Sequence, residues 1–352
     1  MASSRLRTLL VALVAALAVV TLTASAQETC SATSKCGQAA PCCSSYGYCG
    51  SSSTHCLGTC DPNSSFSPSS CKPMPKCKPQ TISFENGAKP WVAFANYRGD
   101  PAQAPFTLDE GVVEASKSGT KMLLTKSGDA KKGTLLSSTR YWYYGTASAV
   151  MKHGSWAGVV NTFIGMSSTR DEIDWEYTTA SDQDVETNYY WYGQAEGWTH
   201  GYIVPGSVLD SIAKPARFSV KDWHTYTLDW SPNRLRWLID GTVVRTLYRK
   251  NTLHSDGLYH YPSSPMRLQL SIWGAGDGTF PNGTVEWSGG LIDWSKAPNG
   301  RFVNMVKSVS ITCNDPEDVK NDRPNYAFSA KQVNPLNGQP KVLATTRSSI
   351  MA

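Results

Sequence analysis

The chain has 352 residues, of which 40% are hydrophobic and 17% charged, with 28 glycines, 20 prolines and 12 tryptophans. It is too apolar for a disordered polymer, lacks a collagen-like period, and is long enough for one or two folded domains with a sizeable core. The formal charge of +5 includes Arg5 and Arg7 of a leader read below as removed; it forms no Lys/Arg-rich run, gives no footprint for nucleic acid or an anionic membrane, and leaves neutral partners as the expectation.

Residues 1–26 carry Arg5 and Arg7, then the apolar run Leu9 to Leu22, then Ala24-Ser25-Ala26, the small-x-small form of a cleavage site. The apolar run falls short of the roughly 20 residues that span a bilayer, so the segment reads as a secretory signal and not an anchor. Nine of the ten cysteines follow between Cys30 and Cys77, with Cys313 alone near the other end. Behind a signal, such density implies disulfides, because so short a stretch buries too little apolar surface to fold unaided. Zinc is the weaker reading, since Cys42 and Cys43 are adjacent and zinc sites space their cysteines as C-x₂₋₄-C.

The spacing Cys30, Cys36, Cys42-Cys43, Cys49, Cys56, Cys60, with the core Cys42-Cys43-Ser44-Ser45-Tyr46-Gly47-Tyr48-Cys49-Gly50, resembles the hevein-type chitin-binding module, carbohydrate-binding module family 18. The resemblance covers about forty residues, and a module over residues 27–60 is expected. It implies the pairs Cys30–Cys43, Cys36–Cys49 and Cys42–Cys56. Cys60 with Cys71 and Cys77 with Cys313 complete the set most simply, and Cys71 with Cys77 is an open alternative. It also implies that Tyr46 and Tyr48 stack on N-acetylglucosamine rings while Ser44 bonds an acetamido group. A tyrosine suits this role because it offers a rigid apolar face at low entropic cost. His55 stands where the module usually has another aromatic residue, and a minor binding role is expected of it.

Residues 61–80 are rich in Ser, Pro and Lys without hydrophobic periodicity and read as a semi-extended linker. Asn63-Ser64-Ser65 and Asn282-Gly283-Thr284 are glycosylation sequons. Beyond residue 80 come short runs rich in β-branched and aromatic residues: Lys121 to Thr125, Thr146 to Lys152, Asp171 to Tyr177, Thr187 to Tyr192, Thr225 to Trp230, Leu235 to Ile239, Arg267 to Ile272 and Val303 to Thr312. Gly, Pro, Asn and Asp punctuate them, Ile239-Asp240-Gly241-Thr242 is a hairpin signal, and no helical stretch matches them in quality. An all-β domain, an antiparallel sandwich over residues 81–313, is expected.

Asp171-Glu172-Ile173-Asp174-Trp175-Glu176-Tyr177 carries the chemistry. On a strand, Glu172, Asp174 and Glu176 share one face and Ile173, Trp175 and Tyr177 the other. Three like charges in a row oppose strand formation, so an ordinary solvated face is a poor explanation. A calcium site wants oxygen ligands converging from loops. Mutual repulsion, however, keeps one carboxyl protonated near neutral pH, which paired acid catalysis requires. Retaining glycosidases hold two carboxyls roughly 5–5.5 Å apart, whereas Cα atoms four residues apart on a flat strand are about 13 Å apart. A concave sheet and inward-leaning glutamates are needed to close that gap.

The run Glu172-Ile173-Asp174-Trp175-Glu176 resembles the E-[ILV]-D-x-E signature of glycoside hydrolase family 16, a concave β-jelly roll acting on β-glucans and related polymers. Segments 144–152, 223–230, 237–241 and 270–274 are similar to the family's flanking strands, and the resemblance spans roughly residues 84–312. It implies Glu172 as nucleophile, Asp174 as assisting carboxylate and Glu176 as general acid/base. With the preceding module, the chain is most similar to the Crh-type fungal cell-wall transglycosylases, which are understood to cleave chitin and pass the fragment to a glucan chain. Glu186, Asn188 and Tyr190 alternate where related enzymes line donor subsites. Trp191, Trp198 and Trp273 are further stacking candidates, and Arg140 is a candidate to reach the cleft.

Residues 314–352 read as a polar C-terminal tail in which no glycolipid-anchor signal is visible. Chitin and β-glucan are the expected partners, with no nucleic acid, no membrane span in the mature chain, no metal and no cofactor; a secreted monomer of the fungal cell wall is expected. A secreted endo-hydrolase of β-glucan or chitin is the alternative, differing only in whether water or sugar takes the glycosyl fragment. A lectin on an inactive fold fits the intact acidic trio poorly.

Overall fold

All eight of those runs become strands of two sheets that pack face to face. The first sheet has eight strands in the order Tyr202–Ile203, Glu186–Tyr190, Glu172–Tyr177, Val159–Ser167, Met266–Gly274, Thr134–Ser138, Phe106–Glu110 and Trp91–Ala93. The second runs Thr242–Tyr248, Arg234–Ile239, His224–Trp230, Gly145–His153, Arg301–Ile311, Gly119–Ser127 and Val112–Ser116, with Gln80–Ser83 and Ala130–Lys132 added beside it. The computed structural model describes residues 28–58, 60–128, 130–194 and 200–351. The leader with Arg5, Arg7 and Ala24-Ser25-Ala26, and Trp198, lie outside the described residues.

The alternation in sequence explains the sandwich. Ile173, Trp175 and Tyr177 from the first sheet meet Tyr226, Leu228 and Trp230, and Leu235, Trp237 and Ile239, from the second, all at most 2% exposed. Burying each side chain of this size contributes about 1.5–3 kcal/mol relative to leaving it in water. Buried indoles also bond across the gap: Trp237 Nε1 donates to the Asp174 carbonyl at 2.9 Å and Trp175 Nε1 to the Thr227 carbonyl at 3.2 Å. The Ile239-to-Thr242 hairpin closes through Asp240 (φ 47°) and Gly241 (φ 83°), the left-handed pair that a two-residue turn requires. Among the described residues the α-helices are four to seven residues long, and none is long and apolar enough to cross a membrane.

The bridges are Cys30–Cys43, Cys36–Cys49, Cys42–Cys56, Cys60–Cys71 and Cys77–Cys313, so the alternative of Cys71 with Cys77 is not formed. Two segments differ from expectation. Residues 61–80 are no extended tether: Cys60–Cys71 closes them, Asp61, Ser64 and Ser65 are buried, and Met74–Pro75 pairs with Asn325–Val333. Serine and aspartate side chains supply the hydrogen bonds, with Ser65 Oγ donating to the Asp61 carbonyl at 2.6 Å and accepting from Cys43 N at 2.9 Å. A cystine-closed turn of this kind needs no apolar periodicity, which is why composition alone read it as a linker.

Residues 314–352 are no loose tail either. Asn325–Val333 and Pro340–Thr345 form a three-stranded sheet with Met74–Pro75, burying Tyr326, Phe328, Val342 and Ala344. The last residues return to the junction of module and sandwich: Met351 packs against the Cys42, Cys56, Cys60 and Cys71 cluster, its N donates to the Arg98 carbonyl at 2.7 Å, and Lys72 Nζ donates to the Ile350 carbonyl at 3.1 Å. Polar outward positions hid this alternation.

Cys77–Cys313 spans 236 residues, against 11–14 for the other bridges. Because cross-link stabilisation grows with loop length, replacing both cysteines by alanine is expected to cost about 5 kcal/mol. Denaturant unfolding of the oxidised variant measures it; an unchanged midpoint would show that strand pairing alone holds the two ends.

Candidate active site

The strand Glu172–Tyr177 lies between Glu186–Tyr190 and Val159–Ser167, and its register sets the site. Glu172 stands opposite Tyr190 and Met166, Asp174 opposite Asn188 and Ile164, and Glu176 opposite Glu186 and Thr162. The outer face of the first sheet therefore carries all three acids in one row, with Asp174 buried and the two glutamates partly exposed. From beneath, Trp237 fixes the backbone at Asp174. At the start of the strand the buried Asp171 accepts from Tyr192 N (2.9 Å), Ser263 N (2.8 Å) and Gln339 Nε2 (2.6 Å). Three separate segments thus hold the approach to Glu172.

Removal from water raises all three acids. Burial pushes Glu172 up to about 7, moderated by a hydrogen bond with Asp174. Burial, then the Glu172 and Glu186 charges, push Glu176 up to about 8. Asp174 is raised well above the usual carboxylate range, by burial first and then by Glu172 and Glu176. Neither Asp174 carboxyl oxygen meets a donor among the described residues. An ionised Asp174 would be an unpaired buried charge, so burial favours its neutral form. Glu176 is the more basic of the two glutamates. The three titrate as one system.

The other cleft candidates divide. Glu186, Asn188 and Tyr190 share the acids' face; Glu186 accepts from Trp287 Nε1 at 3.1 Å and Thr178 Oγ1 at 3.3 Å, and Asn188 Nδ2 donates to Tyr190 Oη at 3.0 Å. Trp273 also lies on this face, at the Glu176 end, with Phe280 and Trp287 at ring separations of 5.2 and 6.3 Å. Trp191 does not join them: it is 6% exposed and its ring stacks on His260 at 3.9 Å, because strand parity turns it away from Tyr190. Arg140 does not line the cavity at Glu172; it donates to the Lys76 carbonyl at 3.1 Å, tying the jelly roll to the Lys76 segment.

In the module, Tyr46 and Tyr48 are exposed and Ser44 is buried, its hydroxyl accepting from Tyr48 N at 3.2 Å and keeping its proton for another acceptor. His55 lies across Gly50, where a Cβ would come within 2.4 Å of the ring, and its Nδ1 bonds Ser52 Oγ at 2.7 Å. Outside the disulfides, the described residues bring three metal-ligating side chains together at His254, Asp256 and His260, where the two imidazoles stack on each other.

Several residues that hold the site went unread in the sequence. Arg267 is buried beneath the module, paired with Asp109 at 3.2 Å and donating to Ser138 O and Thr107 Oγ1. Glu110 receives the Tyr46 hydroxyl at 2.8 Å, and Gln339 reaches Asp171 across 168 residues. Parity on the strand Met266–Gly274 places Arg267 on the face of Trp273; nothing local marks Glu110 or Gln339.

A sandwich with this acidic strand defines a glycoside hydrolase, and the Glycosyl hydrolases family 16 profile matches residues 101–289, so the chain belongs to that family. Within it the chain is similar to Crh-like protein 2 of Aspergillus fumigatus, 36% identical over 91% of this chain and 70% of that one. It is also similar to Congo red hypersensitive protein 2 of Saccharomyces cerevisiae, 34% identical over 86% of this chain and 63% of that one. A solved structure of Crh5 transglycosylase in complex with NAG is 29% identical, with a TM-score of 0.57 over 73% of this chain and 90% of that one. The chain spans about two thirds of the curated relatives it matches.

Two expectations follow from the raised acids. A folded-state pKa above the unfolded value of about 4 means that stability falls as pH rises from about 4 toward 8. Glu176→Gln should therefore raise the melting temperature at about pH 8 by a few degrees, and the gain should vanish near pH 4. An equal shift at both pH values would place the effect outside titration. Glu186→Gln removes a negative charge facing Glu176, so the Glu176 pKa should fall; the alkaline limb of the kcat/KM profile should move to lower pH while the acid limb stays.

Proposed function

We propose that this chain is a retaining transglycosylase that cleaves an N-acetylglucosamine polymer and passes the new end to a β-glucan or chitin acceptor, crosslinking cell-wall polysaccharides. The observation that carries the reading is the strand on which Glu172 and Glu176, both raised by burial, flank the buried Asp174 on one face of the sheet. A sugar chain laid across the sheet passes over Asp174 with Glu172 on one flank and Glu176 on the other. Glu172, ionised, attacks the anomeric carbon; Glu176, protonated, gives its proton to the departing oxygen. The fragment is then an ester of Glu172. In the second half Glu176, now a base, takes the proton of an incoming hydroxyl as that oxygen displaces Glu172. Asp174 donates to Glu172 when it is ionised and so holds it in place.

Support for the polymer comes from the tyrosine-bearing module and from the Crh5 transglycosylase solved with NAG. The disulfide frame, the leader with its cleavage form and the sequons at Asn63 and Asn282 support a secreted, glycosylated protein of the cell wall. Transfer to sugar, as opposed to water, is a matter of which acceptor the cleft holds against the Glu172 ester.

Incubation with an N-acetylglucosamine oligomer and a labelled β-glucan oligosaccharide tests the reading. Label should move into longer products, and products longer than the starting oligomer should form; label confined to the original oligosaccharide would make the chain a hydrolase. Glu172→Gln and Glu176→Gln should each lower turnover by at least 10³-fold while leaving retention on chitin intact, and undiminished turnover in either removes the assignment.

A further inference from the structure

The aromatic face of the module opens into the catalytic cleft. Tyr46, Tyr48 and His55 line the same cavity, about 930 Å³, as Glu172, Tyr190 and Gln269. The two tyrosine rings are 64% and 44% exposed, so their faces are available, and the cavity is near the upper end of the roughly 300–1,000 Å³ typical of ligand sites. The module is held in this position by several unrelated bonds. Tyr46 Oη donates to Glu110 Oε1 at 2.8 Å, Arg170 pairs with Asp61 at 3.3 Å, Arg98 donates to Ser53 Oγ at 3.1 Å, and the Tyr141 hydroxyl donates to the Gly58 carbonyl. The segment 61–80 that would have been a tether is folded, with Asp61, Ser64, Ser65, Cys71 and Met74 buried, and the C-terminal residues close over the junction. A module on a flexible tether raises only the local concentration of substrate, whereas one fixed beside the acids adds contacts in register with them.

We propose that the module supplies binding subsites of the catalytic cleft itself: one N-acetylglucosamine chain stacks on Tyr46 and Tyr48 while a sugar further along the same chain lies against Glu172. The inference rests on the polymer named above. It makes the module a ruler for chain length and not an independent anchor. Short oligomers occupy one part of the site, and only longer ones occupy both parts at once.

Calorimetric titration of the full-length Glu172→Gln protein, which does not consume the ligand, with N-acetylglucosamine hexamer tests this directly. One hexamer per protein is expected, and adding Tyr48→Ala should weaken its binding tenfold or more. Two independent hexamers per protein would overturn the inference. In the active protein, Tyr48→Ala and Tyr46→Ala should each lower kcat/KM for the soluble hexamer tenfold or more, with a smaller loss for the trimer and with melting temperature held. If instead both variants lose retention on insoluble chitin but turn over soluble hexamer like the parent, the module is a separate anchor and the inference fails. Absence of any turnover of N-acetylglucosamine oligomers by the parent would defeat the proposed function, while single-hexamer binding lost with Tyr48 would still uphold the shared site.

Discussion

Glu172, Asp174 and Glu176 place three acids on alternate positions of one strand, where like charges oppose pairing and burial raises the free energy of each ionised form. The strand persists because its other face is among the most buried in the protein. Ile173, Trp175 and Tyr177 fill the core, and the Trp237 indole bonds the Asp174 carbonyl from the opposite sheet. Burial first, and then the charges of its neighbours, raise Asp174 and Glu176, so this row of acids holds protons more tightly than acids in water. Stability is given up at these positions at neutral and alkaline pH, because the folded state holds these protons more tightly than the unfolded chain.

Around this strand the structure draws on both ends of the chain. Gln339, from beyond the last strand of the sandwich, bonds Asp171 immediately before Glu172. The module, from the start of the described chain, walls the cavity on the Glu172 side. Cys77–Cys313 fastens the entry of the sandwich to its exit. The site is therefore not an isolated signature on one strand. Segments remote in sequence determine where Glu172 sits and what can reach it.

The acidic run, the hairpin at Asp240-Gly241 and the strands with regular alternation were legible because each is a local pattern with a single structural meaning. Parity alone placed Glu186, Asn188 and Tyr190 beside the acids. Parity also separates Trp191 from Tyr190, and that consequence was not drawn from the sequence. Arg140 was misplaced because a guanidinium reaches in many directions and composition does not say which carbonyl it will meet. The segments 61–80 and 314–352 were misread as linker and tail for a shared reason. Their hydrogen bonds come from Ser, Asp and Asn side chains and from strands with polar outer faces, so apolar periodicity, the signal used to find order, is weakest where these segments fold. Contacts such as Tyr46 with Glu110 leave no trace in spacing at all.

The central claim is that Glu172 and Glu176 act on one glycosidic linkage from either side of Asp174. Mass spectrometry of the Glu176→Gln protein after exposure to an N-acetylglucosamine oligomer bearing an activated leaving group tests it, since such a donor departs without proton donation and deglycosylation then lacks its base. The account predicts a protein carrying one glycosyl fragment, with peptide mapping placing the added mass on Glu172. An adduct on another residue, or steady product formation with Glu172 unmodified under rapid quenching, would contradict it.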